Sequence, residues 1–514
     1  MKSHPNILLT VKSPLNILLI MSDQQRWDSL GCTGAPWVST PHLDTLAAQG
    51  VLFSNCYANN PICTPARASL MTGLELPGHG VYQLHDILDP RAVLFPQRLR
   101  ERGYHTALYG KLHVSGRIEE AVRRHPNDGF DVYEWCLEPA VDIDAPFNGY
   151  TRWLEAHHPD FLQRLRSQRR HRGHDSVDVS MNRWAADRTI AYLQEHARRG
   201  GTQPFFCKMS VFDPHNPYDN YPVEMAQHVD ASRMPAPIQD PEDAATGSAL
   251  PWAFTAEREH SYLGPLHELK PEDFQAMRLG YHAMVAHIDR EVGRVLEALE
   301  DSGLADDTMV IYTSDHGDML GDHGGLVKGA MLFDPCIRVP LIVRGPQGFH
   351  GGTTRQGLVQ LHDLPATILR MAGAQPDELQ AWMPSARDIA PLARGDADEV
   401  HPYIVCPYRN SGINDEGLHW DPAIHATMVR SGHHKLHIYH PVADHQPKAI
   451  YRLYDLHADP QELHDLSQTA TGQQIMVRLK DQFTDWLLQV ELGQGGRGGQ
   501  ASPAPDQRIV NRLN

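Results

Sequence analysis

The chain has 514 residues, 41% hydrophobic and 21% charged, an ordinary globular composition that argues against wholesale disorder. Lys and Arg total 46 against 63 Asp and Glu, and the formal net charge of −17 excludes a broad electrostatic grip on nucleic acid or an anionic membrane. The seven cysteines are odd in number and scattered, which does not read as a disulfide framework.

At the N-terminus two short apolar runs, Asn6–Val11 and Leu15–Met21, are split by Lys12 and Pro14. A signal peptide would carry one unbroken run and a small-residue cleavage site, so a cytoplasmic protein is expected. No apolar run approaches the ~20 residues of a membrane span, so no membrane partner is expected. Ser3–Thr10 nearly repeats Ser13–Ile20, and only the second copy leads into Ser22-Asp23-Gln24-Gln25. The first copy is either an extra edge strand or a start-site artefact.

Leu15–Met21 reads as a buried strand, and Pro41–Gln49 as a helix with Thr40 at its N-cap. A helix is expected at Phe95–Arg102 and a strand at Tyr104–Tyr109. Trp184–Arg198 has helical spacing, and Pro204–Phe212 reads as the next strand. A long helix covers Phe274–Leu299. Strands follow at Thr308–Thr313 and Val339–Arg344, then a helix at Asp363–Ala372. This alternation predicts an α/β domain with a large, mostly parallel sheet flanked by helices, over residues 1–394. Pro235–Pro271 reads as a long surface insertion. From His401 the strands become short and closely spaced, at His401–Pro407, Ala426–Arg430, Lys435–Tyr439 and Arg452–Leu456, with a helix at Ile475–Val490. Residues 395–492 are therefore expected to form a smaller subdomain of antiparallel sheet plus helix. Residues 493–514 read as a flexible tail.

Four predicted strands end directly in reactive residues: Ser22-Asp23-Gln24, Gly110-Lys111-Leu112-His113, Asp213-Pro214-His215 and Ser314-Asp315-His316. Open α/β sheets bind ligands beyond the carboxyl ends of their strands. If these strands run parallel, the four loops meet on one rim. Asp23, Asp315, His316 and Gln24 offer mainly hard ligands that favour Ca²⁺ or Mg²⁺, and His316 keeps Mn²⁺ or Zn²⁺ open. Lys111 and Lys328 suit an anionic oxygen, and His113 and His215 suit proton transfer. Together they suit sulfuryl or phosphoryl transfer. Cys63, just before a helix whose first turn holds Pro65, is placed either as an anion-stabilised nucleophile or as a buried structural cysteine.

Cys63-Thr-Pro-Ala-Arg67, followed by Ala-Ser-Leu-Met-Thr-Gly, strongly resembles the signature of type I sulfatases of the alkaline phosphatase-like superfamily. Asn16–Gln25, Thr40–Ala47, Gly110–His113, Asp213–Tyr218, Ser314–Gly324, Val327-Lys328-Gly329 and Tyr454–Glu462 resemble further family segments in the family's order. The resemblance implies that a separate formylglycine-generating enzyme oxidises Cys63. It implies a sulfuric ester hydrolase of arylsulfatase type, in which a formylglycine gem-diol at the metal attacks sulfur and later collapses to release sulfate. It implies that Asp23, Gln24, Cys63, Asp315 and His316 hold one divalent cation, calcium first, with magnesium and manganese as alternatives. Arg67 would fix the formylglycine, Lys111 and Lys328 would hold sulfate oxygens, His113 would act as base and His215 would protonate the leaving alcohol. The expected substrate is a small sulfate ester or a sulfated sugar, and a homo-oligomer is allowed.

Gln24 and His316 depart from the more frequent Asp and Asn at those places. They resemble the branch that includes phosphonate monoester hydrolases, which lack the Gly110–His113 segment. The alternative is thus a phosphonate monoester or phosphodiester hydrolase on the same site, or activity on both. Asp318, Asp322 and His323 read as supporting loop residues, and Asp459–Glu462 as a structural turn. The tract His433, His434, His437 and His440 reads as an exposed strand edge. Tyr218 and Tyr221 are placed at the pocket or in solvent, and Arg409 and His419 are weighed as readers of the leaving group.

Overall fold

The computed structural model describes residues 15–167, 176–240, 250–261, 263, 265–345 and 349–493. The first copy of the N-terminal near-repeat and most of the expected tail lie outside them. In chain order the strands are β1 (Asn16–Ser22), β2 (Val51–Phe53), β3 (Cys56–Tyr57), β4 (His105–Gly110), β5 (Val132–Trp135), β6 (Phe205–Ser210) and β7 (Thr308–Ser314). They continue with β8 (Arg338–Val339), β9 (Leu341–Arg344), β10 (Thr353–Arg355), β11 (Val359–Gln360), β12 (Ile404–Arg409), β13 (His425–Ser431), β14 (His434–Tyr439) and β15 (Ile450–Asp455).

The large sheet has the order β10-β2-β9-β7-β1-β6-β4-β5. Within it β1 is central and pairs in parallel with both β6 and β7, and β4 is parallel to β6 and β5. β9 runs against its neighbours β7 and β2. Every residue of β1 is buried. Leu18 and Ile20 join one core cluster while Ile17, Leu19 and Met21 join the other, so Ile17–Met21 is apolar throughout because both faces are covered. Helices Met181–Arg198 and Pro271–Asp301 supply the first face, and Cys63–Thr72 and Asp363–Met371 the second.

Helix Pro41–Gln49 forms as expected, but Thr40 does not cap it with its side chain. The Thr40 hydroxyl instead accepts from Gly31 N at 2.8 Å and donates to Asp44 Oδ1 at 3.1 Å. The small sheet β12-β13-β14-β15 is antiparallel throughout. Its alternation is sharp. Val405, Val429, Leu436, Ile438 and Leu453 pack on helix Ala470–Gly493, while Ile404, Cys406, Tyr408 and Met428 pack towards the large sheet's loops. Among the described residues no helix is long and apolar enough to cross a membrane.

Pro235–Pro271 is not purely a surface insertion. It contains helix Trp252–Glu259, which buries Ala253, Phe254, Ala256 and Glu257 against the 328–333 loop and the small sheet. Glu257 Oε1 accepts from Ala330 N at 3.0 Å, and burial pushes its carboxyl up to about 7. The folded state therefore holds this proton more tightly than the unfolded chain. The stabilisation is full below the ordinary carboxyl range and is lost as pH rises towards 7. Glu257→Gln is expected to raise the thermal midpoint relative to wild type at pH 8 and to leave it little changed at pH 5, read by scanning calorimetry.

Candidate active site

The four strands that end in reactive residues are mutually parallel neighbours, β7-β1-β6-β4, so their carboxyl ends share one rim. At the end of β4 the chain turns through Gly110 with φ +113, where a Cβ would sit 1.8 Å from the Ser210 carbonyl oxygen. Only glycine fits, and this lets Lys111 N donate to that carbonyl at 2.9 Å.

Arg67 is the internal brace. It stands on helix Cys63–Thr72, every residue of which is buried. Its guanidinium donates through Nε to Asp315 Oδ2 at 2.6 Å and through Nη2 to Asp23 Oδ2 at 2.9 Å. Nη1 donates to Ser210 Oγ at 3.0 Å and to the Lys111 carbonyl at 3.2 Å. Lys111 Nζ is 2.6 Å from the same Asp23 Oδ2. Burial alone would raise the Asp23 carboxyl, but Lys111 and Arg67 outweigh it and hold the group far below the usual carboxylate range.

Cys63 occupies the first turn of its helix rather than the position before it. Lys328 Nζ reaches its Sγ at 2.9 Å, His215 Nε2 at 2.8 Å and His316 Nε2 at 3.3 Å. Burial pushes the thiols of Cys32, Cys56, Cys136, Cys207, Cys336 and Cys406 up. At Cys63 burial acts the same way, but Lys111 and Lys328 reverse it and hold the group well below the ordinary thiol range. The environment is built for an anion, which disfavours the plain structural reading of this cysteine. All seven cysteines are free.

His113 has φ +57, and its Nε2 meets Thr64 Oγ1 at 3.0 Å. Burial and the adjacent Lys111 push its imidazole down to about 4, so it is neutral near pH 7. The loop that carries it is held by Glu120, which sequence reasoning missed. The buried Glu120 carboxylate accepts from the N–H groups of His113 at 2.8 Å, Val114 at 2.6 Å and Ser115 at 3.2 Å, and from Trp135 Nε1 at 3.0 Å. Glu120→Gln would turn an amide N–H₂ towards these donors, and each clash costs roughly 1–3 kcal/mol. The expected result is a kcat loss with little change in KM, measured by steady-state kinetics. Lys208, also unforeseen, lies fully buried in β6 and donates to the Lys111 carbonyl at 3.0 Å. Burial, assisted by Arg67, holds its amine well below the usual range.

The sequence-predicted residues Asp23, Gln24, Cys63, Arg67, Lys111, His113, His215, Asp315, His316 and Lys328 thus meet at one rim. One ligand atom from each of Asp23, Cys63, Asp315 and His316 lies within 4.8 Å of every other. Two buried oxygens, Asp23 Oδ1 and Gln24 Oε1, have no hydrogen-bond partner. His316 Nδ1 meets the Gly317 carbonyl at 2.9 Å, which sets the tautomer with Nε2 as the lone-pair nitrogen. Orphaned hard oxygens, an oriented imidazole and a nucleophile position within a cation's span fit a divalent metal.

The neighbouring candidates separate. Asp318 Oδ2 accepts from Gln24 Nε2 at 2.7 Å and from Tyr218 Oη at 2.6 Å, so Tyr218 is a buried support rather than a pocket wall. Asp322 pairs with Arg26 at 2.7 Å and with Arg278 at 3.2 Å, and His323 with Asp240 at 2.6 Å. Arg409 Nη1 donates to the carbonyls of Tyr408 and Ala426 and to Thr427 Oγ1. His419 Nδ1 is held by the Gly412 carbonyl at 2.7 Å. The histidine tract splits by strand alternation. His437 is buried 3.5 Å from Glu462, while His433 and His434 meet Asp455 at the surface. Glu462 is structural, 2.9 Å from the buried Lys435.

This fold and this rim fit a hydrolase of anionic esters, with a buried group that could hold a metal ion. The chain belongs to the sulfatase family: the family model described as Sulfatase matches residues 15–374, and one described as N-sulphoglucosamine sulphohydrolase, C-terminal, matches residues 321–489. An arylsulfatase of Clostridium perfringens is 28% identical over 395 residues, covering 71% of this chain and 76% of that protein. An N-acetylglucosamine-6-O-sulfatase of Bacteroides thetaiotaomicron is 25% identical over 520 residues, covering 91% of this chain and 88% of that protein. The crystal structure of a phosphonate monoester hydrolase of Agrobacterium radiobacter superposes with a TM-score of 0.70 at 25% identity, covering 93% of this chain and 96% of that one.

Proposed function

We propose that the protein hydrolyses an organic sulfate monoester, with residue 63 acting as formylglycine. The observation that carries this reading is the reversal at position 63: a fully enclosed side chain that burial should keep neutral stands among Lys111, Lys328 and Arg67 instead. Such a pocket offsets the charge of a sulfate without any broad basic surface, which accords with the net charge of −17.

Asp23, Gln24, Asp315, His316 and residue 63 would hold one divalent cation, and the hard oxygens favour calcium. Bound there, the metal would polarise the nucleophile and neutralise sulfate charge. Arg67 keeps the two aspartates apart and oriented. Lys111 and Lys328 bind sulfate oxygens. His113, neutral near pH 7, takes a proton from the nucleophile. His215 Nε2 lies 2.8 Å from Lys328 Nζ, and the ammonium and imidazole together supply a proton to the departing alcohol. Residues 1–394 are taken as the catalytic domain, 395–492 as the α+β subdomain and 493–514 as a tail.

The substrate class is a small sulfate ester or a sulfated sugar, the second suggested by the Bacteroides relative. The test is twofold: a peptide mass at position 63 about 18 units below the cysteine form, and release of inorganic sulfate from an aryl sulfate. The second reading, a phosphonate monoester hydrolase, is favoured by the Gln24–His316 pair and by the Agrobacterium structure. The Gly110–His113 segment favours the sulfatase reading. Paired kcat/KM on an aryl sulfate and a phenylphosphonate monoester ranks the two.

A further inference from the structure

Gln24 sits where a charged ligand would be ordinary, and its amide can face the metal site with oxygen or with nitrogen. Only the oxygen can coordinate a cation, so the site needs a device that chooses the orientation. The surrounding hydrogen bonds supply one. Asp318 Oδ2 lies 2.7 Å from Gln24 Nε2, and Asn216 Oδ1 lies 3.3 Å from the same nitrogen. A carboxylate only accepts, so the amide nitrogen is the end that must face it. Gln24 Oε1 is left buried and without a hydrogen-bond partner, beside Asp23 and on a residue whose N–H donates to Asp315 Oδ1 at 3.0 Å. An orphaned amide oxygen at full burial costs free energy unless a ligand satisfies it.

Asp318 is itself fixed. Its Oδ2 also accepts from Tyr218 Oη at 2.6 Å, and its Oδ1 accepts from Leu320 N at 2.9 Å. Tyr281 Oη donates to the Gln24 carbonyl at 2.9 Å and anchors the backbone, which stands at φ +64. The side chain is therefore the part left to be oriented. We propose that Asp318 is a positioning residue that locks the Gln24 amide with its oxygen towards the cation, making a neutral side chain a dependable metal ligand. This rests on the divalent-metal reading of the site.

The alternative is that Asp318 contributes negative charge alone, and the two views diverge in a set of variants. In Asp318→Asn the amide nitrogen can face Leu320 N–H or the Gln24 and Tyr218 donors, and it faces the second pair because a side-chain amide and a hydroxyl can turn while the Leu320 N–H cannot. The second arrangement turns Gln24 oxygen away from the cation. Pairing Gln24→Glu with Asp318→Asn lets the Asn amide donate to one Glu oxygen and leaves the other for the metal. Gln24→Glu alone sets two carboxylates against each other. The readout is the calcium Kd of the full-length, metal-stripped protein by titration calorimetry, with thermal midpoints in chelator as a check on folding.

The expected result is that Asp318→Asn weakens calcium about 10–100-fold, the range for lost outer partners of a metal ligand. The double variant should return to within about threefold of wild type, and Gln24→Glu alone should bind no more tightly than wild type. Wild-type affinity in Asp318→Asn overturns the proposal, as does a double variant no better than the single, or a Gln24→Glu variant tighter than wild type. A wild-type protein that binds no divalent cation overturns the metal reading itself and the proposal with it. Binding with no sulfate release leaves the variants to decide the proposal and sinks only the sulfatase reading.

Discussion

Cys63→Ala is expected to abolish sulfate release while leaving the fold intact. The side chain is small and stands in the first turn of a helix, where alanine is well tolerated. What disappears is the proposed nucleophile position beside Lys328. Loss of a nucleophile that acts with its neighbours as a unit costs on the order of 10⁴–10⁶ in kcat. Cys63→Ser is expected to be as poor at turnover, because a sulfated serine has no second hydroxyl whose proton loss can drive it off. A single burst of alcohol without steady-state sulfate would distinguish serine from alanine. Steady turnover by Cys63→Ala would remove residue 63 from the chemistry.

Arg67→Met is expected to be the most damaging change to the scaffold. Arg67 carries one positive charge between two fully buried carboxylates, Asp23 and Asp315. Removing it leaves Lys111 beside Asp23 and takes from Asp315 its guanidinium partner, and an uncompensated buried charge costs about 3–5 kcal/mol. For a chain of this size that corresponds to a fall of about 3–5 °C in thermal midpoint. The deficit should be largest in chelator and should narrow with calcium, because a bound cation replaces part of the missing charge. Arg67→Lys should recover only part of the stability, since an ammonium cannot span both carboxylates as the guanidinium fork does. An unchanged midpoint in chelator for Arg67→Met would show that the aspartates are compensated elsewhere.

The sheet's parallel strands were legible because each is buried on both faces. Leu15–Met21, Thr308–Thr313 and Pro204–Phe212 are mostly apolar runs, the last interrupted by Lys208 and Ser210, and the structure bounds them as β1, β7 and β6 within a residue or two. The reactive residues were legible for the same reason: polarity returns abruptly where a buried strand emerges at the rim. Helix Trp252–Glu259 was not legible. Its Pro- and Ala-rich flanks read as loop, and its burial depends on a loop some seventy residues away. Thr40 shows a subtler failure, since a good capping residue was drawn off by Asp44 and Gly31.

Sequence alone determined the family, the alternating α/β layout and the ten residues of the rim, because covalent order and periodic burial leave their marks on neighbouring positions. Tertiary structure decided how those residues are used. It set Arg67 between Asp23 and Asp315, brought Glu120 under the His113 loop, placed Lys208 beneath Lys111, and turned Gln24 by means of Asp318. It also parted His437 from His433 and His434. Apart from Glu120, which is seven residues from His113, these polar partners lie far apart in the chain. A hydrogen bond to one distant partner imposes no period and no composition, so it becomes readable only when the two ends are folded together.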